Sequence, residues 1–115
     1  METETALKVL SALGHESRLA AFRILVQAGP DGLPVGELRE RLDIPAATLT
    51  AHLNVLRAAA LVTDQREGRV IRVRAHYAQM DSLIGYLTDN CCGGLADCGP
   101  ARTCAPAPRK KKASP

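Results

Sequence analysis

The sequence predicts a mainly α-helical fold with one small β-hairpin, on three observations. Leucine and alanine recur at helical spacing through most of residues 3–59. Two β-branched runs, Leu61–Gln65 and Val70–Arg74, then break that spacing and flank the turn Arg66-Glu67-Gly68-Arg69, in which Gly68 can take a positive φ. Helical spacing resumes from Tyr77 to about Asn90. A chain of 115 residues with 46 % hydrophobic residues suits one small globular domain. Its aromatics are Phe22, Tyr77 and Tyr86, with no Trp, so the core is aliphatic. So few rings argue against a stacking platform for single-stranded nucleic acid.

Each element has a local reason. Thr3 to Leu13 reads as a first helix with Leu7, Leu10 and Leu13 as its stripe beside Ala6, stopped at Gly14. Glu16 to Ala28 reads as a second, with Leu19, Phe22, Leu25 and Val26 on one face, ended by Gly29-Pro30-Asp31-Gly32. Val35, Leu38 and Leu42 mark a short third helix behind Pro34, and Asp43-Ile44-Pro45 is a tight break. Ala46 to Ala59 is a fourth helix turning Leu49, Leu53 and Leu56 inward, with Pro45 at its start. The last helix carries Met80, Leu83, Ile84 and Leu87. A short helix, a break, a longer helix and then a hairpin is the order of a winged helix-turn-helix. The stripes of the first and last helices have no evident home within so thin a core. A homodimer through those two helices would give them one.

That architecture directs attention to double-stranded DNA. Ala46, Ala47, Thr48, Thr50, Ala51 and Asn54 lie opposite the leucine ridge and are the candidates to face base edges; Thr and Asn offer hydrogen bonds, and Ala methyls can touch thymine methyls. Arg57, one turn on, is a candidate for phosphate. Arg66, Arg69, Arg72 and Arg74 crowd the hairpin against a single Glu67, and such a wing suits phosphates or a narrow minor groove. Taken alone, an alanine-rich helix is merely a good helix, and an arginine-rich hairpin is a solvated edge guarded against aggregation. Their order and distance together carry the DNA reading. Global charge does not: the formal net charge is +3, and the run Arg109–Lys112 more than accounts for it. His52 reads as a structural or backbone-contacting histidine rather than a base reader or a ligand.

The segments Leu10-Ser11-Ala12-Leu13-Gly14-His15-Glu16-Ser17-Arg18-Leu19, Leu38-Arg39-Glu40-Arg41-Leu42 and Arg66-Glu67-Gly68-Arg69 carry a family resemblance. So does Thr48-Leu49-Thr50-Ala51-His52-Leu53-Asn54-Val55-Leu56-Arg57-Ala58-Ala59-Ala60-Leu61-Val62. Over residues 6–90 the chain resembles the ArsR/SmtB family of metal-responsive winged-helix repressors. The resemblance implies a homodimer bound to operator DNA and released by a metal or metalloid. There are departures: Thr50 stands for the usual Ser, Ala51 for an Arg or polar residue, and Ala60 for a Gly. Val35-Gly36-Glu37-Leu38 lacks the Cys-Val-Cys of arsenite sensors, and the last helix lacks the Asp-x-His and His-x-x-Glu pairs of zinc sensors.

All four cysteines lie late, at Cys91, Cys92, Cys98 and Cys104. Such a cluster in a cytosolic chain points to metal or redox chemistry before structural disulfides. The run from Asn90 to Cys98 is similar to a subgroup of arsenite repressors with cysteines just after the last helix. The resemblance implies Cys91, Cys92 and Cys98 as the ligand trio. As(III) or Sb(III) is then the expected inducer, since soft trivalent ions suit three thiolates. No organic cofactor is expected. Zinc or cadmium, with Cys104 as a fourth ligand, and a thiol–disulfide switch remain alternatives.

The expected division is a DNA-binding and dimerisation domain over 1–90, a cysteine segment over 91–98 and a disordered basic tail over 99–115. No nucleophile motif, carboxylate pair or phosphate loop supports an enzyme. No apolar run reaches membrane-spanning length, and the acidic N-terminus carries no secretory signal, so the expected location is the cytoplasm.

Overall fold

A computed structural model describes residues 1–89. Its order is α1 (Thr3–Leu13), α2 (Glu16–Ala28), β1 (Leu33–Pro34), α3 (Val35–Leu42), α4 (Ala46–Ala58), β2 (Val62–Glu67), β3 (Val70–Ala75) and α5 (Tyr77–Leu87). The three strands form one antiparallel sheet in the order β1-β3-β2. This is the winged helix-turn-helix the sequence predicts. The expected cysteine segment and tail lie outside the described residues.

The hairpin is the wing, but it is not alone. β1 adds a third strand, pairing Leu33 with Val73 and Pro34 with Arg72. A two-residue strand containing Pro shows no alternation, and Pro has no N–H to give a ladder, so only an edge position accepts it. Gly32 makes the approach feasible. At φ +68° a Cβ there would overlap the Val73 carbonyl oxygen and come within 2.7 Å of Arg74 Cβ. The wing strands also reach further than expected: Glu67 pairs with Val70, leaving Gly68 and Arg69 as the loop. Gly68 has φ 63° while Arg69 keeps a negative φ, the arrangement of a glycine-first hairpin turn.

Leu25, Leu38, Leu49, Leu53, Leu56, Leu61, Val9 and Val73 are fully buried, so the aliphatic core joins α1–α4 to the sheet. α1 keeps its leucine stripe out of the single-chain core, as the thin core requires. It buries Ala6, Val9 and Ala12, and leaves Leu7 62 % and Leu10 41 % exposed. The small residues let α1 lie close on its neighbours, and its leucines face out. In α2, Phe22 and Leu25 are buried as expected, but Leu19 is 44 % exposed. In α5, Leu83 is buried, while Ile84 and Leu87 are exposed.

Helix ends are secured by side chains, because terminal carbonyls and amides lack partners within the helix. Arg18 Nε donates to the Ala12 carbonyl at the end of α1 at 2.6 Å. The carbonyls closing α4 are taken by the start of α5. Gln79 Nε2 donates to Ala59 O, His76 Nδ1 to Ala60 O and the His76 amide to Leu61 O. Tyr77 adds a hydrogen bond from its hydroxyl to the Val26 carbonyl of α2 at 3.0 Å. The first turn of α5 is thereby fastened to both α2 and the end of α4.

Candidate nucleic-acid interface

The break between α3 and α4 sets the angle of α4. Asp43 takes the left-handed conformation, φ 54° and ψ 52°, and its amide donates to the Arg39 carbonyl. That closes α3 in the usual manner of a left-handed cap. Pro45, at φ −62°, then starts α4, whose first bond runs from the Leu49 amide to the Pro45 carbonyl. Leu49, Leu53 and Leu56 point inward. Ala46, Ala47, Thr48, Thr50, Ala51 and Asn54 are all exposed, as the periodicity requires.

Beside this face, a cleft of about 510 Å3 opens between the start of α3, α4 and the wing. Val35, Thr50, Leu53, Arg57, Arg69 and Ile71 are among its lining residues. The outward helix and the wing therefore share one concave surface.

The arginines differ in what they are free to do. Arg57 is half-buried; its Nε pairs with Asp64 Oδ2 at 2.8 Å, and its Nη1 donates to Asn54 Oδ1 at 3.0 Å. Its charge is thus matched by β2, and it braces the exposed Asn54 through Oδ1, while the Asn54 amide NH2 has no partner among the described residues. Arg72 pairs with Glu67 at 3.0 Å and donates to the Asp31 and Gly32 carbonyls. Arg74 donates to the Thr63 hydroxyl. Arg66 donates only to the Gly68 carbonyl within its own turn. Arg69, at the tip, has no hydrogen bond or ion pair among the described residues. The sequence treats these arginines alike; the structure separates bracing ones (Arg57, Arg72, Arg74) from those held outward (Arg66, Arg69). Asp64 went unnoticed in the sequence, because its role appears only when β2 lies against the end of α4.

His52, half-buried on α4, packs its ring on that of His15, with centroids 4.6 Å apart. Burial, and then the charges of His15 and Arg18, hold its pKa below the ordinary 6.5. That agrees with a structural histidine. Cys91, Cys92 and Cys98 lie outside the described residues. Among those residues no group of three or more His, Cys, Asp or Glu could hold a metal ion. No described helix is long and apolar enough to cross a membrane.

Comparison with known proteins agrees with this geometry. The helix-turn-helix domain family matches residues 3–65. The biofilm growth-associated repressor of Agrobacterium fabrum is 40 % identical over 85 residues, which span 74 % of this chain and 69 % of that protein. An ArsR-like transcriptional regulator from Rhodococcus sp. RHA1 superposes with a TM-score of 0.65 at 30 % identity, over 73 % of this chain and 76 % of that one. HlyU from Vibrio cholerae gives 0.63 at 29 % identity over 80 % and 99 % of the two chains, and a further structure of it is of the reduced protein. The first of these is named a repressor and the second a transcriptional regulator, neither an enzyme. With its helix-turn-helix, its wing and these likenesses, the chain belongs to the ArsR family of helix-turn-helix transcriptional regulators.

Proposed function

We propose that the chain is a repressor that binds operator DNA as a homodimer and lets go when trivalent arsenic or antimony is held by cysteine thiolates. One observation carries the DNA reading: α4 presents mostly small and polar side chains outward, with Val55 the exception, beside a wing whose tip arginine is unengaged. Thr50 and Asn54 meet base edges in the major groove, Ala46, Ala47, Thr48 and Ala51 allow close approach, and Arg66 and Arg69 meet phosphate. Arg57 and Arg72 act chiefly as braces, Arg57 by fixing the Asn54 amide. Self-association rests on the exposed Leu7 and Leu10 of α1 and Ile84 and Leu87 of α5. A two-fold dimer would cover them and set the two α4 helices for an inverted repeat.

The inducer reading rests on donor chemistry. Cys91, Cys92 and Cys98 supply three soft sulfur ligands. The trio begins four residues after the end of α5, and the start of α5 holds the carbonyls that follow α4. Ligand and operator then compete through one helix, and the coupling is reciprocal. A redox-responsive repressor is the second reading, favoured by the likeness to HlyU, one structure of which is of the reduced protein.

A gel shift with the DNA upstream of the chain's own gene tests the proposal. A specific complex should form, arsenite should dissolve it, and Cys91→Ser/Cys98→Ser should hold the complex against arsenite. Thiol titration should show three thiols lost per arsenic with Cys104 still free. Absence of any complex would sink the operator reading. Release by peroxide and recovery with dithiothreitol, without any response to arsenite, would favour the redox reading instead.

A further inference from the structure

The corner where α1 ends, α2 begins and α4 passes holds two histidines and an arginine. His15 occupies the N-cap of α2 with extended backbone, and its Nδ1 accepts the Ser17 amide N–H at 3.1 Å. That bond requires a bare lone pair on Nδ1, so it exists only while the imidazole is uncharged. The same ring packs on His52 of α4, their centroids 4.6 Å apart and their planes tilted by 44°. Arg18, one turn into α2, is fixed by the carbonyls of Ala12 and Ser11 at the end of α1. Among the described residues no acidic side chain pairs with His15, His52 or Arg18. Glu16, in the first turn of α2, is exposed and makes no ion pair among the described residues. On the β2 side of α4 the charges are Arg57 and Asp64, already joined to each other. α1 contributes the Ala12 and Ser11 carbonyls that hold Arg18.

We propose that His15 and His52 form an acid-released clasp between the start of α2 and the DNA-facing helix α4, closed when both rings are neutral and opened when they are protonated. Acid acts twice here. A proton on His15 Nδ1 removes the cap acceptor and places a cation at the positive end of the α2 dipole. A proton on His52 sets a second cation against the first, with Arg18 nearby. The direction of the effect follows from linkage. His52 is held below its ordinary pKa, so between its folded value and 6.5 the unfolded chain binds more protons. The stability from the clasp is complete above that range and is lost as the pH falls through it.

The test uses the full chain and a His15→Asn/His52→Gln variant, in which Asn keeps a cap acceptor and neither side chain titrates. Urea unfolding is measured at about pH 7.5 and 5.5. The wild-type unfolding equilibrium should shift toward the unfolded chain about tenfold more over this interval than the variant's. The Ser17 amide resonance should move with the same midpoint as the His15 ring. Equal acid sensitivity in both proteins would overturn the clasp, as would a Ser17 amide that stays put while His15 titrates. A second arm rests on the operator reading. Affinity for upstream DNA should fall several-fold more in the wild type, and a complex that forms at pH 7.5 yet ignores acid counts against the clasp. If no complex forms at either pH, the operator reading fails, and the urea and amide data still decide the clasp.

Discussion

α1 and α4 are both short amphipathic helices of ordinary composition, yet they place their leucines on opposite sides. α4 turns Leu49, Leu53 and Leu56 into the core and shows alanine, threonine and asparagine to solvent. α1 packs Ala6, Val9 and Ala12 inward and leaves Leu7 and Leu10 outside. Burial of a leucine is worth about 1.5–3 kcal/mol, so α1 forgoes within one chain what α4 collects. The contrast teaches that exposed surface differs in kind. An outward face of small polar groups suits a hydrated, hydrogen-bonding partner such as a DNA groove, whereas an outward face of leucines suits a second copy.

The largest expected effect comes from charging the α1 face. Leu7→Glu/Leu10→Glu should weaken self-association by at least about a thousandfold, since both leucines count on both protomers. Sedimentation velocity would show a monomer, and circular dichroism a folded one, because neither side chain supports the single-chain core. A variant that still sediments as a dimer would break the comparison. Next in size is Leu53→Ala on the inward face of α4. It should cost about 2–5 kcal/mol in urea unfolding through the cavity it leaves. A smaller effect is expected at the wing tip. Arg69→Ala should weaken binding to operator and unrelated duplex alike, and reduce the slope of log K against log salt by about 1.8, one contact of about 0.9 on each protomer.

How much of this was legible in the sequence depended on whether a feature is local. The helix order, the hairpin and the outward residues of α4 were readable, because they follow from spacing within one element. Leu19 is expected on the packed face of α2 and lies outside it. Periodicity finds a stripe, but which stripe packs depends on the neighbour, and α1 prefers its small one. β1 was invisible because Leu33 and Pro34 become a strand only by meeting Val73 and Arg72. The roles of Arg57 and Arg72 were hidden for the same reason, their partners Asp64 and Gly32 lying on other elements or in a distant loop. Ala60 lies between these cases. Its departure from the family's usual glycine was readable, and the structure gives it φ 61°, a left-handed conformation that a Cβ disfavours. Ala60→Gly should therefore stabilise the chain, by up to about 1 kcal/mol once the greater freedom of unfolded glycine is deducted. Thermal unfolding would register this smallest of the effects.

The claim that α4 reads sequence is tested most directly by competition binding of Thr50→Ala/Asn54→Ala against the wild type. Each protein is given its upstream operator and a scrambled duplex of equal length at one salt concentration. The account predicts that preference for the operator falls at least about tenfold, each lost base contact being worth roughly 1–3 kcal/mol. Affinity for the scrambled duplex and the urea midpoint should stay as they were. An unchanged preference would contradict it.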